Sequence, residues 1–154
     1  MDIILRNILE EDKTILIVSY LNEIENNQER AQKFADDLIN KHKTIICLQN
    51  EKLLGSITWD IHSNLSDGII ELVNLGINLN SSNQGIAKEL LLTLINYAKK
   101  EFSKKGFKLR VIYCFLERNP EFNHFFYKQM GFREISIVPA LYPHDDGVLW
   151  IKYF

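Results

Sequence analysis

The sequence has little of what marks several protein classes. Of its 154 residues only two are cysteine, and both Cys47 and Cys114 lie in apolar, strand-like runs. They read as buried small hydrophobes, which excludes a disulfide framework or a cysteine-based metal site. Prolines number three and glycines seven, near the ends of the expected elements, and there is no linker, repeat or low-complexity stretch. The formal net charge of -2 gives no electrostatic footprint for nucleic acid. No apolar run approaches the length of a membrane span. The opening Met-Asp-Ile-Ile, with acidic residues soon after, does not read as a secretion signal, so the expectation is a cytoplasmic protein. Two phosphate-binding signatures are also missing: a Gly-Lys-Ser/Thr loop and the three-glycine dinucleotide fingerprint.

What is present is ordinary in amount and specific in order. An apolar fraction of 46% and a charged fraction of 25% suit one globular domain, residues 1–154, large enough to bury a substantial core. Periodicity and turn residues predict a strand at residues 3–5, helices at 10–20 and 28–39, and strands at 44–48, 53–61 and 69–77. Asn50-Glu51 is expected to turn tightly between two of these strands. A long helix follows over 84–103, stopped near Gly106, and then a strand over 108–116. Asn119-Pro120 predicts the start of a helix running to Met130, with Gly131 beyond its end. A strand at 132–138, a loop at 139–147 and a last strand at 148–153 complete the order β-α-α-β-β-β-α-β-α-β-β.

The stretch from Ile69 to Leu91 is the centre of this plan. It reads as a buried strand, a short polar loop and a helix with Gly85 and Ala87 in its first turn. The first turn of a helix presents N–H groups without intrahelical acceptors and carries partial positive charge. Small residues there let an anion approach, and a pyrophosphate is a natural ligand. Gly-x-Ala taken alone is equally a plain helix start.

The wider spacing, Ile77-x-Leu79-x-x-Ser82-x-x-Gly85-x-Ala87-x-x-Leu90-Leu91, resembles the acyl-CoA-binding motif of the Gcn5-related N-acetyltransferase (GNAT) superfamily. That motif reads Gln/Arg-x-x-Gly-x-Gly/Ala, and Ser82 stands here in place of Gln/Arg. The element order resembles the same family over essentially the whole chain. The resemblance implies an α/β (α+β) fold: a mixed, mostly antiparallel seven-stranded sheet flanked by about four helices and splayed between strands 4 and 5. It implies acetyl-CoA as co-substrate, its pantetheine arm paired with the backbone of Leu75 and Ile77. Its pyrophosphate would lie on the N–H groups around Ser82, Asn83, Gln84, Gly85, Ile86, Ala87 and Lys88, with Asn119 and Asn123 as pantetheine contacts.

A second motif, Asn119 to Phe132, resembles the family's later one, in which a Tyr precedes a Gly-Phe pair by four residues. Tyr127 stands four before Gly131-Phe132, and the resemblance implies that it donates a proton to the departing thiolate. The plain alternative is an amphipathic helix residue with its hydroxyl in water. His124, one turn away, reads as a packing residue. Acyl transfer to an amine also needs the ammonium to lose a proton, since its ordinary pKa is about 10. Glu71 is the carboxylate inside the fourth strand, six residues before Ile77, and is the candidate base. Tyr142, His144 and Asp145 lie in the expected loop at 139–147, which borders the acceptor site in the family; no metal is expected there.

These expectations amount to a cytoplasmic N-acetyltransferase that moves an acyl group from acetyl-CoA to a small-molecule or peptide amine by direct attack in a ternary complex. No nucleic acid or membrane partner is expected, and a homodimer paired through the C-terminal strands is compatible with the reading. A second reading is a non-catalytic acyl-CoA-binding sensor on the same fold, which would keep Gly85 and Ala87 but not need Glu71 or Tyr127.

Overall fold

The computed structural model describes residues 2–77, 84–119 and 122–154. Its seven strands are β1 (Ile4–Asn7), β2 (Lys43–Gln49), β3 (Lys52–Ile61), β4 (Ile69–Ile77), β5 (Val111–Glu117), β6 (Arg133–Tyr142) and β7 (Asp145–Tyr153). They form one sheet in the order β1-β2-β3-β4-β5-β7-β6. Four helices accompany it: α1 (Lys13–Glu23), α2 (Gln28–Asp36), α3 (Gln84–Lys104) and α4 (Phe122–Gln129). The pairs β1/β2, β2/β3, β5/β7 and β6/β7 are antiparallel. The β4/β5 pair is parallel, which requires a crossover, and α3 lies within it. The parallel register covers Ile69↔Val111 to Glu71↔Tyr113, while β4 runs on to Ile77 and β5 to Glu117. The seven-stranded, mostly antiparallel sheet with its parallel β4/β5 pair and its four helices are the fold expected from the sequence.

Contacts group the chain into two compact bodies, Met1–Asp60 with Asn74–Tyr97 and Ile61–Val73 with Ala98–Phe154. In the first, β2 and β3 are joined by Asn50 and Glu51, both at positive φ (51° and 61°), as a tight hairpin turn demands. Leu16, Ala35 and Leu38 are buried together, and Ile17, Phe34 and Leu53 pack against them. Two threonines are fully inside β2 and β3. Their hydroxyls satisfy each other at 3.1 Å, and Thr44 also donates to the Leu38 carbonyl at 3.0 Å.

Both N-terminal helices differ in detail from the periodicity. Residues 10–12 form a tight 3-10 turn, and the α-helix starts only at Lys13. The cause is Asp12: it is buried, receives both guanidinium nitrogens of Arg6 at 2.7 and 2.9 Å, and accepts the Leu9 N–H at 2.7 Å. A residue anchored in this way closes a turn instead of continuing one. After α2 the chain widens into a π-type turn over Asp37–Lys41, closed by the His42 N–H on the Asp37 carbonyl.

In the second body, β7 lies between β5 and β6. The expected loop over 139–147 is absent: β6 continues to Tyr142 and β7 begins at Asp145. Proline argues against a central strand, but β6 is an edge strand, where a missing N–H leaves no ladder bond unmade. A register shift between Val138 and Tyr142, with Ala140 at φ 52°, absorbs Pro139.

The Arg6–Asp12 pair generates a pH prediction. The Arg6 guanidinium, aided by the Leu9 N–H, holds the Asp12 carboxyl below the usual carboxylate range against the opposing effect of burial. Its stabilisation is therefore present above the unfolded-state value of about 3.9 and is lost as pH falls through the lower folded value. Asp12→Asn should lower stability at pH 7 by about 1–3 kcal/mol. In urea titrations the gap from wild type should shrink steadily in acid below that range. A gap independent of pH would show that the pair's charge is not the cause.

Candidate active site

The first body supplies the end of β4 and the start of α3. What fixes them is the lack of a side chain at Gly55 in β3. A Cβ there would lie 2.8 Å from the Gly76 carbonyl oxygen, 3.0 Å from Ile77 Cδ1 and 3.1 Å from Leu90 Cδ1. The glycine thus lets β3, the end of β4 and the second turn of α3 close on one another. On α3, Ile86, Ala87, Leu90 and Leu91 are buried, whereas Gly85 and Lys88 are exposed. The first turn is therefore held to the core by one face and keeps its glycine at the surface. Leu75 and Ile77 are half-buried in β4. Ser82 and Asn83 lie outside the described residues, as does the Pro120 helix start.

The second body holds Glu71 and Tyr127. Glu71 is half-buried and stands opposite Tyr113 in the parallel register. The Tyr113 hydroxyl lies 2.9 Å from Nδ1 of His62. Cys114, beside it in β5, is buried, and its thiol is pushed up to about 12, by burial first and by the Glu71 carboxylate second. At neutral pH it is a thiol and not a nucleophile.

Tyr127 is buried in α4, at 6% exposure, rather than standing in water. The spacing that singled it out has a structural cause. The Gly131 N–H bonds the Lys128 carbonyl at 3.1 Å and the Phe132 N–H bonds the Tyr127 carbonyl at 3.0 Å. Gly131 has φ 87°. This is a Schellman helix end, in which the residue after the glycine packs on the residue four before the glycine. The Tyr127 and Phe132 rings meet edge-on at 5.3 Å. Burial, and to a lesser degree Cys114, drives the Tyr127 phenol well above its ordinary value, so it stays protonated at any working pH.

Several candidates have structural partners. His124 Nε2 lies 2.8 Å from the Glu117 carbonyl, and Nδ1 receives the Trp150 indole N–H at 3.2 Å, so the ring bridges α4, β5 and β7. Asn119 donates its N–H to Asp145 at 2.7 Å, and Asn123 is exposed on α4. Asp145 accepts the Asp146 N–H, and Asp146 accepts the Ala140 N–H at 2.9 Å. This pair of carboxylates fixes the β6–β7 turn. Tyr142 and His144 stack nearby, with centroids 6.4 Å apart. Among the described residues no group of three or more His, Cys, Asp or Glu side chains is placed to hold a metal ion. Among them, too, no helix is long and apolar enough to cross a membrane.

Sequence reasoning missed Gly55 as a determinant of the site. A lone glycine inside a β-branched strand was the available signal, since it often marks close backbone approach.

The chain matches the model of the acetyltransferase (GNAT) family over residues 5–132. No curated protein matches it closely. Among solved structures it is similar to NAA60 of Arabidopsis thaliana in complex with acetyl-CoA, with TM-score 0.74 and 19% identity over 99% of both chains. It is similar to a ribosomal-protein-alanine N-acetyltransferase from Brucella melitensis, with TM-score 0.74 and 15% identity, covering 98% of this chain and 99% of that one. An N-acetyltransferase from Staphylococcus aureus gives TM-score 0.73 and 19% identity over 99% of both chains. At these identities the likeness bears on the fold.

The Gly131 geometry generates a stability prediction. Gly131→Ala should cost about 1–2 kcal/mol for the left-handed backbone, and more because its Cβ would lie 2.6 Å from Lys152 Nζ. Gly106, at φ 82° with nothing within 4 Å, is the control. Gly106→Ala should lose only the backbone part. Equal losses in urea denaturation would mean that Lys152 yields freely.

Proposed function

As the chain belongs to the GNAT acetyltransferase family, we propose that it is a cytoplasmic enzyme, acting as one domain, that transfers the acetyl group of acetyl-CoA to a primary amine. The amine nitrogen attacks the thioester carbonyl directly, the N–C bond forms to give a tetrahedral intermediate, the C–S bond breaks as that intermediate collapses, and CoA leaves as thiol. The observation that carries this reading is the pairing of a half-buried strand end, Leu75–Ile77, with a helix whose first turn is anchored by Ile86 and Ala87 and keeps Gly85 at the surface. A cofactor with an extended arm and an anionic end suits those two features: backbone groups of β4 for the arm, first-turn N–H groups for the pyrophosphate.

Each residue then has a role. The N–H groups of residues 82–88 hold the pyrophosphate, and Asn119 and Asn123 contact the pantetheine amides. The Ile77 N–H stabilises the oxyanion of the tetrahedral intermediate. Glu71 removes the ammonium proton and Tyr127 meets the leaving sulfur. The protonated state of Tyr127 supports a donor, and the unreactive Cys114 thiol supports direct transfer over an acyl-enzyme. That one similar structure holds acetyl-CoA and another, of the same plant protein, holds a bisubstrate analogue supports a ternary complex.

Two variants test the reading. Gly85→Val places a branched side chain at the phosphate approach. It should abolish calorimetric binding of acetyl-CoA while leaving the circular dichroism spectrum and melting temperature close to wild type. A folded variant with unchanged affinity would remove the pyrophosphate from this turn. Tyr127→Phe should keep acetyl-CoA affinity and lower kcat, measured as thiol release. General acids typically contribute about 10²–10⁴-fold, and the raised phenol sets the expectation at the lower end of that range. Full turnover, with chemistry rate-limiting, would assign Tyr127 to packing alone. A sensor on this fold would bind acetyl-CoA with no thiol release for any amine.

A further inference from the structure

The first body contains a cavity of about 210 Å³ on the side of β3 and β4 facing α1 and α2. Its walls are apolar: Leu16, Ile24, Phe34 and Leu53, with the Tyr20 ring tilted against Phe34 at a centroid distance of 5.1 Å. The Tyr20 hydroxyl is already committed to Glu25 at 2.6 Å, so the ring rather than the hydroxyl is what Tyr20 gives the cavity. The floor is polar and lies at the end of β4. Measured from the position a Cβ would take on Gly76, the Asn74 amide nitrogen is 3.6 Å away and the Ser56 hydroxyl 3.8 Å. Ile77 closes that end. Among the described lining residues Glu23 carries the only formal charge, and it takes part in none of the ion pairs among the described residues.

From this lining we infer the acceptor class: a monoamine bearing one compact apolar group and no carboxylate close to its nitrogen. The inference rests on the proposed acetyl transfer, because it is the adjoining Ile77 N–H that makes this cavity the place where an acceptor nitrogen meets the acyl carbon. Size limits the apolar group. Sites for drug-sized ligands run to about 300–1,000 Å³, so this one takes a side-chain-sized group and not an aminoglycoside. Charge limits the rest. An arriving ammonium is drawn to Glu23, and the Ser56 and Asn74 groups can orient the nitrogen. A free α-amino acid brings a carboxylate for which the lining has no cation, and a polyamine brings further ammonium groups for which it has no second anion. Two sources share the favoured chemistry: a peptide N-terminus that begins with an apolar residue, and a free apolar amine.

Leucinamide, leucine and 3-methylbutylamine separate these possibilities when rates are referred to the unprotonated amine, since the first two then differ chiefly in the carboxylate. With acetyl-CoA saturating, kcat/KM for leucinamide should exceed that for leucine by about tenfold or more. A leucine-initiated tetrapeptide turning over faster than 3-methylbutylamine identifies the peptide source, and the reverse order the free amine. Glu23→Lys should raise KM for leucinamide about tenfold, and Glu23→Gln by less, with the calorimetric affinity for acetyl-CoA unchanged. Binding is read without turnover as well: leucinamide should shift the backbone amide resonances of Ser56 and Asn74 in wild type and not in Glu23→Lys, with or without CoA. Equal use of leucine and leucinamide, an inert Glu23→Lys, absent shifts, or competition between leucinamide and CoA would each overturn the inference. Failure of the parent reading looks different: acetyl-CoA would not bind, while leucinamide would still shift Ser56 and Asn74.

Discussion

The absence of a side chain at Gly55 is the constraint on which the geometry of the first body depends. With the Gly76 oxygen 2.8 Å from where a Cβ would sit, no other residue fits without moving backbone. The same approach brings Ile77 and Leu90 against β3, so the end of β4 and the early turns of α3 are located by one contact. Neither element could be placed this precisely by hydrophobic burial, which is non-directional. Burial then does the rest: Ile86, Ala87, Leu90 and Leu91 fix the rotation of α3 and leave Gly85 outward. A helix start that is packed on one face and sterically open on the other is the arrangement the proposed anion site needs, since ordering a loose one would cost entropy on each binding event.

In the second body a single helix end carries both the local fold and the proposed chemistry. The Tyr-x-x-x-Gly-Phe spacing is what a Schellman end with its ring contact requires, and the contact is made by Tyr127 and Phe132. The motif therefore reports a well-terminated helix before it reports catalysis. Lys152 adds to the termination by donating to the Met130 carbonyl at 2.8 Å. His124 ties the same helix to β5 and β7 through both ring nitrogens. A phenol held by these restraints has a fixed ring position, which is the requirement for any group that acts on a reacting atom.

The architecture was legible because its signals are local and redundant. The hairpin at Asn50-Glu51, the strand–helix pair around Ile77 and Gly85, and the stop at Gly131 each combine periodicity with a turn residue. The errors lie where a side chain or an edge overrides the local pattern. Asp12 looks like a helix interior residue until Arg6 claims it. Pro139 looks like a loop until its strand proves to be at the sheet edge. At the site, the candidate positions followed from family spacing, whereas the determinants around them did not. The Gly55 approach, the burial of Tyr127 and the cavity above Ser56 and Asn74 depend on residues far apart in sequence. No window of sequence contains them.

The burial that fixes Tyr127 also limits what it can do. Its phenol sits above the ordinary value of about 10, while a thiol titrates near 8.5. Complete transfer of the phenolic proton to a departing thiolate is then uphill by more than about 1.5 units, or about 2 kcal/mol. In the proposed reaction the favourable contribution of Tyr127 is therefore a hydrogen bond that strengthens as charge grows on sulfur, without the proton having to cross. The proton that ends on CoA comes more readily from the acceptor ammonium, which must shed one in any case. This division places the acid–base demand on Glu71, half-buried in β4 and so open to exchange with solvent, and the electrostatic demand on Tyr127, which is closed to it. Two groups in unlike surroundings thus take unlike tasks, the pattern by which environment assigns roles in proton-transfer sites.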